Sequence, residues 1–171
     1  MLLLKLLQQL VKALNSQGTP GQVAAGLALG MVFGLTPIAN LHNLLCFALA
    51  LILDLSLAGV FLGWAVAVPL GFALDPVFDA VGTRLLAAPS LVPLWTSLYN
   101  TPGVPLTNFN NTVVLGSLVV WLASLLPVFF LARWAVARYR ATVYERLKRT
   151  RLFKAVAGSQ FFNYYRLLWP G

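Results

Sequence analysis

The stretch GTPGQVAAGLALGMVFGLTPIANLHNLLCFALALIL, residues 18–53, decides the fold: it runs for thirty-six residues without an Asp, Glu, Lys or Arg. A segment so long and uncharged is solvated by lipid or by other protein, not by water. It divides at Thr36-Pro37-Ile38-Ala39-Asn40, where a proline among polar side chains breaks a helix and turns the chain. Residues 21–35 supply about 22 Å of helix at 1.5 Å per residue, short of a ~30 Å hydrocarbon core. Residues 41–53 are shorter still. The expected element is a broken or re-entrant helical hairpin that goes in and comes back, with its bend lined by protein rather than lipid. One crossing with an irregular middle is the alternative.

Gly26, Gly30 and Gly34 recur at every fourth residue and share one helical face. Such a face lets another helix come close. Packing inside the fold is its plain reading; a groove for a partner's transmembrane helix, or a slot for an acyl chain, is the functional one. His42 and Asn43 follow the bend at membrane depth, where polar side chains default to function. The bland account of His42 is a neutral ring bonded to a helix carbonyl.

Composition agrees with a membrane setting. Of the 171 residues, 60% are hydrophobic and 9% charged, with a mean hydropathy of +0.83. Soluble domains carry about a quarter charged residues, so the deficit excludes an ordinary aqueous surface. The net charge is +8, and nine of the twelve Lys and Arg lie at or after Arg133. A basic end next to an apolar span is topogenic and attracts anionic headgroups, with Arg133, Arg138 and Arg140 as the contacts. No nucleic-acid motif surrounds it, so nucleic acid is not an expected partner. The single cysteine, Cys46, excludes an internal disulfide and a Cys-based metal site.

The rest of the chain reads outward as one all-α, polytopic membrane domain. Residues 1–17 form an interfacial amphipathic helix, with Lys5, Gln8, Gln9 and Lys12 on one face. Thr19 caps the next helix and Pro20 opens it. Residues 55–74 are a clean crossing, with Pro69 and Gly71 marking a late kink or end. Residues 75–111 are an amphipathic helix and a proline-rich loop on the outer side, ending in the uncharged amides Asn108, Asn110 and Asn111. Residues 112–132 cross back, and residues 133–171 make a basic, aromatic cytoplasmic tail. A shift of ninety residues aligns Val23, Gly26 and Pro37 with Val113, Gly116 and Pro127, a sparse hint of an internal repeat. Charge puts both termini on the cytoplasmic side, provided residues 18–53 return.

The run GTPGQVAAGLALGMVFGLTPIANLHN resembles a bacterial inner-membrane family of unknown function. Gly18, Pro20, Ala24, Gly26, Gly30 and Pro37 occupy its motif positions. The whole chain, with NTPGVPLTNFNN and the aromatic tail, looks like a short subgroup encoded as half of a two-gene pair. The resemblance implies a partner: a long periplasmic protein of the AsmA type, thought to bridge the two membranes for lipid transport.

Catalysis is not expected. One His, three Asp and one Glu do not form a zinc spacing, and no phosphate loop or nucleophile elbow occurs. No cofactor is implied. The expected function is that of an inner-membrane subunit holding such a bridge protein and passing phospholipid to it. Gly26, Gly30, Gly34, Thr36, Pro37, Asn40, His42, Asn43, Asn108, Asn110 and Asn111 are the candidate lipid or partner contacts. A small-solute transporter or channel on the same broken helices, and a purely structural anchor, are the alternatives.

Overall fold

A computed structural model describes residues 18–37 and 39–144. The expected interfacial helix over 1–17 and the tail beyond Tyr144 lie outside the described residues. Among those described, every regular element is helical: α1 (Pro20–Gly30), α2 (Val32–Leu35), α3 (Leu41–Ile52), α4 (Leu57–Leu86), α5 (Val92–Tyr99) and α6 (Thr112–Arg138). Two 3-10 turns, Pro89–Leu91 and Val104–Thr107, flank α5, and a π-helical segment, Tyr139–Tyr144, continues α6.

Local chemistry sets the start of α1. Thr19 accepts from the Gln22 backbone N–H, and the Gln22 side chain takes the Thr19 N–H in return, a reciprocal cap with Pro20 at the first position. Met31 joins α1 to α2 with helical backbone, donating to Leu27 and Leu29 carbonyls, so the two run as one rod. Thr36 leaves the helix in extended conformation ahead of Pro37. α3 then carries the chain back to its starting level. There Gln22 Nε2 donates to the Asp54 carbonyl at 3.1 Å, and Ser56 N donates to the Gln22 carbonyl at 3.3 Å. Asp54 turns the corner at φ 50°, a left-handed conformation that Asp tolerates.

α4 starts beside Gln22 and runs parallel to α1–α2, which fits small residues into small residues. A methyl group added at Gly26 would meet the Ser56 carbonyl, at Gly30 the Val60 carbonyl, and at Gly34 the Ala67–Val68 backbone. Reciprocally, Gly59 faces Val23, Gly63 faces Leu27, and Gly71 faces Gly34. Both helices therefore present a four-residue repeat to the other, and backbones touch where side chains would otherwise hold them apart. α6 returns antiparallel along the seam. Its Gly116 lies on the Phe78 carbonyl, Gly82 lies on Thr112, and Trp121 Nε1 donates to the Ala28 carbonyl at 2.9 Å. Val32, Val60, Ala67, Phe78 and Trp121 fill the space between the three rods.

One difference from the sequence expectation concerns a helix end. The crossing expected over 55–74 does not stop near Pro69 or give way to a separate helix at Asp75: α4 continues through Pro69 and Pro76 to Leu86. Each proline removes one backbone bond, but the outer turns of α4 are held by Phe78 and Gly82 against α6. α6 runs from Thr112 past Ala132 to Arg138, so the basic stretch that begins at Arg133 continues the span as helix. The two repeat prolines also differ in role, since Pro37 ends a rod while Pro127 sits inside unbroken α6.

Two helices, Leu57–Leu86 and Thr112–Thr142, are long and apolar enough to cross a membrane. Only 28% of the most apolar stretch of each is buried within the fold, whereas the core helix of a water-soluble protein hides most of its surface. Phe61, Phe72, Leu126, Phe130 and Leu131 stand outward, an apolar belt suited to lipid.

Candidate functional site

The bend between α2 and α3 gathers the polar side chains that the helices cannot absorb. Pro37 has no N–H to give, and its carbonyl is free of any helix ladder. It accepts Asn40 Nδ2 at 2.7 Å and Asn43 Nδ2 at 2.8 Å. Thr36 Oγ1 lies 2.8 Å from the Val32 carbonyl and 3.0 Å from Asn43 Oδ1, either of which it can donate to. His42 Nε2 sits 3.3 Å from the same hydroxyl. The cluster is closed from a distant part of the chain: Asn108 Nδ2 donates to Asn40 Oδ1. Asn108 reaches it because it is left-handed, at φ 54°, directly after the turn Val104–Thr107.

Thr36, Asn40, His42 and Asn43 are all buried. Burying an amide without partners costs several kcal/mol in an apolar medium, so the mutual bonds are what make this bend tenable. His42 Nδ1 is buried without a hydrogen bond of normal geometry, with the Thr107 backbone beside its ring. Along α4 the cluster lies toward the Asp75 end: Gly71, which packs on Gly34, is the fifteenth residue of α4, about 21 Å along the rod from Leu57, and Asp75 lines the cleft beside it.

Two clefts flank the bend. The larger, of about 500 Å³, lies between α2, α3 and the turn Val104–Thr107. Phe33, Leu41, Leu44, Phe47 and Leu106 wall it, with Asn40 and Asn43 at its polar end. The smaller, of about 290 Å³, lies on the α4 side, where Thr36, Trp64, Val68, Phe72 and Asp75 meet. Among the described residues, no group of three or more His, Cys, Asp or Glu could hold a metal ion.

The structure thus brings together Thr36, Pro37, Asn40, His42, Asn43 and Asn108 of the expected contacts. The remaining ones fall elsewhere. Gly26, Gly30 and Gly34 face α4 of the same chain, so the glycine face is filled from within and offers no groove to a partner helix or acyl chain. Asn111 caps α6, accepting from the Val114 N–H at 3.1 Å. Asn110 is exposed and outside the cluster. Arg133 and Arg138 are exposed at the end of α6, and half-buried Arg140 donates Nη1 to the Gly18 carbonyl at 2.7 Å. The basic end of α6 and the start of α1 therefore share one end of the bundle. Asp79 accepts from Thr112 Oγ1.

Sequence reasoning missed Gly59, Gly63, Ala67 and Gly71, although their four-residue spacing repeats that of Gly26, Gly30 and Gly34.

Comparison with known proteins places the chain among relatives of undefined activity. It is 30% identical over 156 residues to an uncharacterized protein of Treponema pallidum (strain Nichols), covering 88% of this chain and 93% of that one. No solved structure matches it. Residues 4–144 match the family described as an uncharacterized protein conserved in bacteria, DUF2062, and the chain belongs to that family.

Proposed function

We propose that the protein is the inner-membrane subunit of a phospholipid-transfer assembly, passing lipid laterally to a periplasm-spanning partner. The observation that carries this reading is the amide cluster at the bend, with Asn40 and Asn43 buried, set beside a cleft walled by apolar residues. Polar groups buried among apolar helices are expensive and mark a path or contact, and the exposed walls of the cleft, Leu44 and Leu106, are apolar.

Re-entrance of the hairpin is part of the proposal. It is supported by lengths, since α1–α2 covers 16 residues and α3 covers 12, about 24 Å and 18 Å against a ~30 Å core. The return of Asp54 to Gln22 supports it too. Arg133, Arg138 and Arg140 at the Gly18 end orient that end to the cytoplasm by the positive-inside bias, leaving Asp75, Asp79 and α5 on the periplasmic side. The partner in this proposal is a long bridge protein of the AsmA type, the kind that the sequence resemblance implies.

The test is extraction of the tagged protein from native membranes in mild detergent, with mass identification of everything bound. Recovery of phospholipid together with a long periplasmic protein is the expected result. Flux of a small solute through liposomes holding this chain alone would replace the proposal with a transporter. An intact complex whose function survives Ala at Thr36, Asn40 and His42 would reduce the protein to an anchor.

A further inference from the structure

We infer that the cleft walled by Phe33, Ala39, Leu41, Leu44, Phe47 and Leu106 is a binding site for one lipid acyl chain, held without selection for headgroup charge. The inference rests on the membrane reading above and adds to it the site and the part of the lipid that is gripped.

Volume, wall chemistry and surroundings each bear on the occupant. About 500 Å³ falls inside the ~300–1,000 Å³ range of small-molecule sites. A partner helix, about 10–12 Å across with a 5.4 Å pitch, fills roughly 400–600 Å³ per turn. The cleft would seat only one turn of such a helix, too little contact for a pair of transmembrane rods. A flexible hydrocarbon chain suffers no such mismatch.

The walls carry no ionisable group, and the polar end holds only Asn40 and Asn43. Both amides donate to the Pro37 carbonyl, so they are bound up in the bend and present no cationic or anionic handle to a phosphate or an amine. The mouth lies in an apolar surface, with Leu44, Leu45 and Leu106 each more than half exposed. Walls of this chemistry favour a tail over a headgroup, which would lose its hydration against them.

The cleft is also adjustable, because α3 touches the three-rod bundle lightly: only His42, Asn43 and Ala50 are buried along its twelve residues. Its Asn40 end is pinned through Asn108 and its Asp54 end through Gln22. The span between can shift to admit a chain without disturbing the glycine seam.

The full-length protein in phosphatidylcholine vesicles, carrying a trace of phosphatidylcholine with a diazirine in its acyl chain, tests this directly. Illumination should label residues 33–47 and 104–108 above the outward residues of α6, Leu126, Phe130 and Leu131. Ala39→Trp, which fills the cleft, should lower the first labelling by about fivefold or more and leave the second unchanged. Should that variant not accumulate, Leu106→Trp fills the cleft from the facing wall. Replacing the probe by an anionic phosphatidylglycerol analogue should change the labelling by less than about twofold, since no charged group faces the chain. Equal labelling of cleft and α6 that neither variant alters would mean boundary lipid only, and a strong headgroup preference would mean a different site; either overturns the inference. Labelling as expected, with normal lipid transport in cells bearing Ala39→Trp, would leave the site standing and sink the transport role instead.

Discussion

At the scale of single residues, stability is concentrated where backbones touch. Gly30 and Gly116 leave no room for a side chain: the Val60 carbonyl fills one position and the Phe78 carbonyl the other. Neither obstacle is a flexible side chain, so the helices themselves must part. Gly116→Ala and Gly30→Ala should each cost about 1–3 kcal/mol, the usual effect of overpacking. Thermal unfolding followed by circular dichroism in detergent would show it as a lowered midpoint, whereas Gly21→Ala, with only the Thr19 hydroxyl near, should shift it little. Trp121 is a different case. Its indole donates to the Ala28 carbonyl from a buried position, and Trp121→Phe keeps most of the volume while losing the bond. About 0.5–1.5 kcal/mol should be lost in unfolding free energy, less than at either glycine.

At the scale of elements, the bend is a joint between two loosely related pieces, α3 and the segment before α6. Asn40 and Asn108 stand sixty-eight residues apart and are joined by one hydrogen bond between their side-chain amides. Asn40→Ala and Asn108→Ala should therefore be non-additive, with a coupling of about 0.5–1.5 kcal/mol in a double-mutant cycle. Additive losses would mean that the two ends of the cluster do not communicate. The light burial of α3 makes a second prediction. Its amides should exchange with deuterium well before those of α1 or the first half of α4, which are locked by the glycine seam. The reading of a helix broken at Pro37 was legible in the sequence, because proline and the polar residues around it act locally. The continuity of α4 through Pro69 and Pro76 was not. Its outer turns are held by Phe78 and Gly82 on α6, a contact between residues thirty or more apart in the chain.

At the scale of the whole molecule, the arrangement makes an end-to-end prediction. Arg140 bonded to Gly18 puts the start of α1 and the end of α6 together, and the far end carries α5 and its flanking turns. With Cys46 replaced, a single cysteine at Asn100 should react with an impermeant maleimide from the periplasm, and one at Arg138 only after the membrane is opened. The reverse pattern would overturn the orientation drawn from charge. Composition, charge placement and the uncharged run over 18–53 determined by themselves that this chain is helical and apolar enough for a membrane, and where its first long segment breaks. They could do so because hydropathy, proline geometry and end charge are properties of neighbouring residues. Which face each helix spends on its own chain was decided only in three dimensions. The glycines at 26, 30 and 34 were equally fit to receive a partner or a lipid until α4, with its matching small residues, came to lie against them. The amides at 40 and 108 became one site only when α6 folded back to bring its leading loop over the bend. Complementarity between distant surfaces is a property of the pair, and neither member states it alone.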